Sequence, residues 1–215
     1  MLMKLLILWK KVIEELFSIA SMKRIAIFGS TGSVGTQSLS VINQNKNQFD
    51  IISLSCNHNA DLLFEQTKKF MPKKIGINTI PEHHPITEFC KKNSIDLIVG
   101  ENSSDILSQY KEIDLVINAI VGTDGLIPTI NTVNNNIELA LSNKESLVLG
   151  GHLIMPKVKE NTANLIPVDS EHSAIFQCLH GEESDVLKKI ILTGSGGPFL
   201  KRELNTFSSI CQEEA

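Results

Sequence analysis

A glycine-rich segment near the beginning of the chain has the spacing of a phosphate-binding loop. Gly29, Gly32 and Gly35 occur at every third position directly after the apolar run Arg24–Phe28. Glycines allow a tight strand-to-helix turn, in which backbone N–H groups approach a pyrophosphate at the positive end of the helix dipole. Such turns also occur without a ligand, so the motif alone is weak. Its place after the first strand of an alternating chain favours dinucleotide binding over a purely structural turn.

The segment after the second predicted strand indicates which dinucleotide this would be. Asn57, His58 and Asn59 follow the run Ile51–Ser55 and include no carboxylate. An NAD site usually places Asp or Glu there to hold the ribose 2′-hydroxyl group. The three side chains can instead donate hydrogen bonds to a 2′-phosphate, which favours NADP(H). The alternative interpretation is an Asn-rich turn with a surface histidine.

Two carboxylates later in the chain have the spacing of a metal site. Asp169 and Glu171 lie two positions apart, so their side chains can point the same way in an extended or turning backbone. Paired hard oxygen ligands suit Mg²⁺ or Mn²⁺. The alternative is a helix N-cap and first turn, where acidic side chains are also favoured. From these residues alone the N-cap is the stronger interpretation.

Two further segments contain polar groups at the ends of predicted strands. The turn Thr193–Pro198 exposes backbone N–H groups and the Ser195 hydroxyl, which can hold a substrate anion. The segment Ser142–Ser146 lies at the carboxyl edge of the predicted sheet, where open parallel sheets bind ligands. Its Lys144 and Glu145 are also typical of a solvated surface pair.

The elements that must position these residues alternate between strand and helix. Six short apolar runs predict strands: Arg24–Phe28, Ile51–Ser55, Lys74–Ile77, Asp96–Val99, Leu115–Asn118 and Ile137–Leu141. The stretches between them predict crossover helices: Thr36–Asn43, Asp61–Phe70, Ile86–Asn93 and Gly125–Val133. This alternation predicts an α/β fold, a Rossmann-like doubly wound parallel sheet with helices on both faces.

The pattern changes after about Gly150. Further elements are predicted at Met155–Asn164 (helix), Leu165–Val168 (strand), Ser170–Leu179 (helix) and Lys188–Thr193 (strand). We therefore expect an N-terminal extension over residues 1–21, a nucleotide-binding domain over 22–150 and an incomplete second α+β domain over 151–215.

Composition excludes several classes of protein. With 42% apolar and 20% charged residues, the 215-residue chain is expected to fold rather than to be disordered. The net charge of −4, without a basic block, gives no electrostatic footprint for nucleic acid. The apolar run Leu5–Trp9 is too short to span a membrane, and its lysines follow it. Residues 1–21 are therefore interpreted as an amphipathic extension, or as residues upstream of a start at Met22.

Cysteine usage predicts a reducing compartment. Cys56, Cys90, Cys178 and Cys211 form no C-x-x-C pair, so they are interpreted as buried thiols of a cytoplasmic protein.

In their order and spacing, these segments resemble the family of 1-deoxy-D-xylulose 5-phosphate reductoisomerase, the NADPH-dependent enzyme of the non-mevalonate isoprenoid route. The resemblance runs from Met22 to about Leu204. The matching stretches are Gly29–Gly35, Ala119–Gly122 with Gly125 and Leu126, Asn143–Val148, Pro167–Gln177 and Thr193–Phe199.

The resemblance implies a role for each matching residue. Thr31, Gly32, Ser33 and Val34 would contact the NADPH pyrophosphate. Asn57, His58 and Asn59 would lie near the 2′-phosphate, and Asn143 and Glu145 near the nicotinamide. Asp169 and Glu171 would bind the divalent cation, Mn²⁺ or Mg²⁺ with Co²⁺ as a further option. Lys144, Ser170 and Ser195 would contact the sugar phosphate, and Lys144, Asp169 and Glu171 are the implied catalytic residues.

The implied reaction is the isomerisation and reduction of 1-deoxy-D-xylulose 5-phosphate to 2-C-methyl-D-erythritol 4-phosphate. Chains of this family continue well beyond this length and supply a third carboxylate ligand, a mobile flap and a C-terminal helical domain. We therefore expect truncation to impair turnover, with a catalytically inactive NADPH-binding fragment as the alternative. A homodimer is implied for the full-length family chain, and no nucleic-acid or membrane partner is expected.

Another Rossmann oxidoreductase, such as a semialdehyde dehydrogenase, is a third possibility. That class needs a nucleophilic cysteine. Cys178 lies beside the apolar residues Ile175, Phe176 and Leu179 and is predicted to be core, which argues against this class.

Overall fold

The computed structural model describes residues 22–182, 187–191 and 197–214, in two compact units that divide between Val168 and Asp169. The predicted N-terminal extension, residues 1–21, and Ser195 lie outside the described residues. Each unit is described by itself.

The first unit is built on a seven-stranded, all-parallel sheet in the order β4-β3-β2-β1-β5-β6-β7. The strands are β1 (Lys23–Phe28), β2 (Phe49–Cys56), β3 (Lys74–Ile77), β4 (Asp96–Val99), β5 (Leu115–Asn118), β6 (Glu138–Leu141) and β7 (Leu165–Pro167). The strand order reverses between β1 and β5. Ligands bind at such a switch point, outside the carboxyl ends of the strands.

The helices cover both faces of this sheet. They are α1 (Ser33–Gln44), α2 (Ala60–Phe70), α3 (Ile86–Lys92), α4 (Ser103–Leu107), α5 (Leu126–Asn134) and α6 (Lys144–Glu160), with a 3₁₀ turn at Thr123–Gly125. Ile25 and Ile27 of β1 pack in the core that contains α1 to α3. Ala26 and Phe28 pack in the core that contains α4 to α6. This alternation along one strand confirms the predicted doubly wound α/β fold.

Helix α6 differs from the prediction. It begins at Lys144 and ends at Glu160, whereas the sequence predicts a helix over Met155–Asn164. The Asn143 side chain accepts a hydrogen bond from the Ser146 N–H group and caps the helix, so the helix begins in the segment that was interpreted as a ligand-binding edge. The helix continues through Gly150, and β7 pairs with β6, so the chain remains in the first unit until Val168. The domain boundary at Gly150 stays a prediction.

Among its described residues, the second unit contains α7 (Ser170–Leu179) and two 3₁₀ turns, Leu204–Ser209 and Gln212–Glu214. Residues 188–191 of the predicted strand Lys188–Thr193 are not in a strand, and the rest of that segment lies outside the described residues.

The prediction of four buried thiols is half wrong. Cys56 and Cys90 are buried, whereas Cys178 and Cys211 are exposed. The apolar side chains beside Cys178 do not form a core in the described part of the second unit, where Phe176 is 41% and Leu179 38% exposed. The helical spacing of apolar residues predicted burial for a face that is largely exposed.

Within the described residues, none of the helices has the length and apolar character needed to cross a membrane.

Candidate functional site

The glycine loop after β1 is fixed between two neighbouring strand ends. The N–H groups of Gly29 and Ser30 donate to Ser55 O of β2, at 3.0 and 2.8 Å. Gly29 has φ +79°, and a Cβ atom there would lie 2.6 Å from Ala119 O, just after β5. Glycine is required at this position by both the backbone conformation and the close approach.

The other two glycines have different surroundings. A Cβ atom at Gly35 would lie 2.3 Å from Gly29 O and 2.6 Å from Ser30 Cα, so Gly35 is required for α1 to pack on the loop. A Cβ atom at Gly32 would meet only Gly29 O, at 3.4 Å, an ordinary contact. The fold therefore requires Gly29 and Gly35 but does not require Gly32.

The N-terminus of α1 has the properties of an anion site. Gly32 is the N-cap and supplies no side-chain hydrogen bond, and no acidic residue lies in the first turn. The N–H groups of Ser33 and Val34 donate to no acceptor within the described residues. Unpaired N–H groups and the helix dipole together favour a phosphate at this position.

A cavity of about 220 Å³ opens at the switch point, beside this helix end. We call it the switch-point cavity. Much of its wall comes from three strand ends: Gly29, Thr31 and Gly32 after β1; Ser55, Cys56 and Asn57 at the end of β2; and Ala119, Ile120 and Val121 after β5. Burial raises the pKa of the Cys56 thiol to about 11, so this side chain stays neutral near pH 7. The structure thus brings Thr31, Gly32 and Asn57 together at one cavity.

The predicted 2′-phosphate segment lies at the same edge of the sheet. His58 lines a neighbouring cavity of about 480 Å³ and places its Nδ1 atom 2.9 Å from Thr79 Oγ1. Asn57 lines both cavities, and its side chain accepts a hydrogen bond from Asn78. Asn59 caps α2, where its Oδ1 atom accepts from the Leu62 N–H group at 3.1 Å. These hydrogen bonds fix the turn, and contact of the three residues with a phosphate stays a prediction.

Three carboxylates that the sequence analysis missed line the same two cavities: Glu101, Asp105 and Asp124. Burial raises the pKa of Asp105, and the nearby charge of Asp124 raises it further. The sequence signal for the type of dinucleotide concerns acids at the end of β2, whereas these three residues follow β4, lie in α4 and precede α5. Because the carboxyl ends of parallel strands lie at one edge of the sheet, acidic residues that follow any of these strands are candidates for the same site. This rule would have identified the three carboxylates from the sequence.

Asp124→Asn is expected to lower the pKa of Asp105, because the substitution removes a neighbouring negative charge. The folded pKa of Asp105 lies above the ordinary value of 3.8, so the folded state binds this proton more tightly than the unfolded state. Stability is therefore lost as the pH rises from 3.8 through the raised pKa, and this loss should be smaller in Asp124→Asn. NMR titration of the Asp105 carboxyl carbon measures the shift. Glu101→Gln is the matched control, and an equal effect of both variants would contradict the assignment.

Asn143 holds the loop after β5 against the start of α6. Its Nδ2 atom donates to Ile120 O and Gly122 O, both at 2.7 Å, and its Oδ1 atom accepts from the N–H and hydroxyl groups of Ser146. The residue is 1% exposed, and a Cβ atom at Gly125 would lie 2.7 Å from its Cγ atom. Both polar atoms of the side-chain amide are therefore hydrogen-bonded within the protein. In this structure the Asn143 side chain positions the loop after β5. Its contact with the nicotinamide stays a prediction.

The two residues after Asn143 begin α6. Lys144 is exposed and Glu145 is half-buried in the first turn. Their predicted contacts with substrate and nicotinamide are not tested by the geometry of the first unit.

The carboxylate pair of the second unit lies at the N-terminus of α7. Asp169 is the N-cap: its Oδ2 atom accepts from the His172 N–H group at 3.3 Å, and its two oxygens lie 2.8 and 2.7 Å from His172 Nδ1. The Ser170 hydroxyl donates to Glu171 Oε2 at 2.9 Å. The N-cap that the sequence analysis favoured on these residues alone is therefore present.

The same pair fits a hard divalent cation by its donor chemistry. Mg²⁺ is often bound by one or two carboxylates and keeps several water ligands. Among the described residues, no group of three or more His, Cys, Asp and Glu side chains is arranged to hold a metal ion. Groups other than the described His, Cys, Asp and Glu side chains would have to fill the remaining positions beside Asp169 and Glu171.

Comparison with known proteins decides the family. A sequence model of 1-deoxy-D-xylulose 5-phosphate reductoisomerase matches residues 25–151, and one of the C-terminal domain of this enzyme matches residues 165–215. The chain belongs to the 1-deoxy-D-xylulose 5-phosphate reductoisomerase family. The resemblance on which the sequence analysis relied is confirmed.

Individual members of the reductoisomerase family agree with this assignment. The protein from Chloroherpeton thalassium is 43% identical over 194 residues, which cover 90% of this chain and 50% of the relative. The reductoisomerase from Zymomonas mobilis, solved in complex with NADPH, has a TM-score of 0.77 and 32% identity over 91% of this chain and 51% of its own. A reductoisomerase solved with NADPH, fosmidomycin and magnesium has a TM-score of 0.74 and 29% identity over 90% of this chain and 50% of its own. This chain spans about half the length of the relatives it matches.

Proposed function

We propose that this chain binds NADPH at the switch-point cavity and takes part in the conversion of 1-deoxy-D-xylulose 5-phosphate to 2-C-methyl-D-erythritol 4-phosphate. The observation that carries the proposal is the uncapped N-terminus of α1, which lies beside a cavity at the carboxyl ends of β1, β2 and β5. The NADPH complex of the Zymomonas mobilis relative supports the choice of cofactor.

Two parts of the first unit would hold NADPH. The N–H groups of Ser33 and Val34, with the hydroxyl of Thr31, suit the pyrophosphate, because they add donors at the positive end of a helix. Asn57 and His58 border the cavities and carry N–H groups that suit the 2′-phosphate. Bound NADPH supplies the hydride, and the protein orients it.

Asp169 and Glu171 would hold Mg²⁺ or Mn²⁺. The bound ion would act as a Lewis acid towards the oxygens of the sugar phosphate. Ser170 donates a hydrogen bond to Glu171 and so orients one carboxylate. Lys144, Ser170 and Ser195 are the proposed substrate contacts, and magnesium in a solved relative supports the choice of ion.

Gly32→Ala tests the cofactor site without disturbing the fold. The new methyl group meets only Gly29 O inside the protein, at 3.4 Å, but it lies on the wall of the switch-point cavity. We expect the melting temperature to stay nearly unchanged and the affinity for NADPH to fall about tenfold or more, since backbone must approach the pyrophosphate closely. Titration followed by NADPH fluorescence measures this. Unchanged affinity would place the pyrophosphate elsewhere.

A second candidate function is NADPH binding without turnover. It is favoured by Asp169, whose two oxygens are held by His172 and the N-terminus of α7. NADPH oxidation with 1-deoxy-D-xylulose 5-phosphate and Mn²⁺ separates the candidates. Binding with no oxidation would support the binding function, and oxidation would support the reductoisomerase function.

The predictions of oligomeric state and cellular location still depend only on the sequence. A homodimer rests on the resemblance, and a cytoplasmic location rests on the cysteine pattern. Membership of the reductoisomerase family, rather than burial of Cys178, now argues against a cysteine-dependent dehydrogenase.

A further inference from the structure

The side chain of Gln66, in α2, forms a pair of hydrogen bonds with the glycine loop. Ser30 Oγ donates to Gln66 Oε1 at 2.7 Å, and Gln66 Nε2 donates to Ser30 O at 2.8 Å. Ser30 is fully buried and Gln66 is 6% exposed. A buried amide that satisfies both its donor and its acceptor on one residue holds that residue in a defined orientation. We call this pair of hydrogen bonds the Ser30–Gln66 latch.

The latch holds the part of the loop that joins Gly29 to the start of α1. Ser30 lies between Gly29, which has a positive φ, and the segment that leads into α1. Its N–H group already donates to Ser55 O of β2, so the latch adds a second anchor from α2. Glycine-rich backbone has high conformational entropy, and fixing it before a ligand arrives lowers the entropic cost of binding.

Gln66 does not line the switch-point cavity, and its side-chain hydrogen bonds go to Ser30, so its effect on a ligand there would be indirect. Its neighbour Thr67 is also fully buried, but the Thr67 hydroxyl donates to Leu63 O within the same helix, at 2.7 Å. One helix thus carries two adjacent buried polar residues, of which only one contacts the loop.

We propose that Gln66 is a positioning residue for the dinucleotide: through the Ser30–Gln66 latch, it holds the loop so that the N–H groups of Ser33 and Val34 are ready for the pyrophosphate. This inference rests on the proposed function, because it needs NADPH as the ligand. Glutamate cannot replace Gln66, since its carboxylate would face the Ser30 carbonyl oxygen and add negative charge near the pyrophosphate.

The test compares Gln66→Met with Thr67→Val in the full chain. Methionine keeps the unbranched length of glutamine and removes both hydrogen bonds. The dissociation constants of NADPH and of adenosine 2′-monophosphate, which has no pyrophosphate, are measured together with the melting temperature. We expect Gln66→Met to weaken NADPH about tenfold and adenosine 2′-monophosphate less than about twofold. Thr67→Val should lower the melting temperature and leave both dissociation constants unchanged.

Several results would overturn the latch. The proposal fails if Gln66→Met binds NADPH as tightly as the wild-type chain does. It also fails if Gln66→Met weakens the binding of NADPH and of adenosine 2′-monophosphate by the same factor, or if Thr67→Val weakens NADPH binding. If Gln66→Met does not fold, Ser30→Ala removes only the hydroxyl bond and should weaken NADPH by a smaller factor, and no change there would overturn the latch.

Hydrogen exchange in the ligand-free protein separates this inference from the proposed function. The latch predicts faster exchange of the loop amides that are hydrogen-bonded in the free protein, Ser30 N–H to Ser55 O and Gly32 N–H to Gly29 O, in Gln66→Met than in the wild-type chain or in Thr67→Val. If the wild-type chain fails to bind NADPH, the proposed function fails, and the exchange rates still decide whether Gln66 orders the loop. Equal exchange rates in all three proteins would overturn the latch on their own.

Discussion

Gly35→Ala is expected to destabilise the first unit by about 3 kcal/mol or more, because the new methyl group would overlap backbone that cannot move independently. The clash is with Gly29 O at 2.3 Å and Ser30 Cα at 2.6 Å, in a loop that is itself hydrogen-bonded to β2. The melting temperature should fall by roughly 10 °C. Urea unfolding followed by circular dichroism measures the free energy.

The matched control is Gly151→Ala, the same substitution within another helix of the same unit. Nothing lies within 4 Å of a Cβ atom at Gly151. Alanine in a helix is favoured over glycine by about 1 kcal/mol, so this variant should be slightly more stable than the wild-type chain. Equal effects of the two substitutions would show that the close approach at Gly35 is not a constraint on the fold.

Asn143→Asp is expected to have the second large effect, a loss of about 3 kcal/mol in the free energy of unfolding. The substitution keeps the shape of the side chain and the N-cap acceptor. It replaces the two N–H donors to Ile120 O and Gly122 O with a buried carboxylate oxygen that faces two carbonyl oxygens. Protonation restores one donor, so the loss should shrink as the pH falls.

Asn59→Asp is the matched control for this second prediction. Asn59 is also a helix N-cap that accepts from a backbone N–H group, but it is exposed, and no described acceptor takes a hydrogen bond from its amide. Aspartate is as good an N-cap as asparagine, so we expect a change below about 0.5 kcal/mol. Unfolding at pH 5 and pH 8 measures both variants. A similar loss in both would mean that the two donors of Asn143 contribute little.

The sequence predicted the fold where the physical signal is local. The bounds of β3, β4 and β5 follow from short apolar runs that end at turn residues, and the glycine loop follows from its spacing. For the carboxylate pair, the residue types and spacing alone favoured a helix N-cap over a metal site, and Asp169 is the N-cap of α7. Each of these signals depends on residues within a few positions of one another.

The rest depends on contacts between distant segments. The interaction of Gln66 with Ser30 joins residues 36 positions apart. The cavity acids Asp105 and Asp124 come from different elements, and only the folded sheet brings them to the same cavity. Asn143 was assigned to the nicotinamide by resemblance. Its hydrogen bonds to Ile120 O and Gly122 O join residues more than 20 positions apart, so the sequence alone did not indicate them. Burial of Cys178 was predicted from helical spacing, which says nothing about whether another element covers the helix.

The most direct test of the central claim is an NMR titration of the wild-type chain with NADPH, followed through the backbone amides. If the N-terminus of α1 binds the pyrophosphate, the Ser33 and Val34 amide resonances should shift in a saturable manner and their hydrogen exchange should slow. Saturable NADPH binding that leaves these two amides unchanged, or no binding at all, would contradict the account.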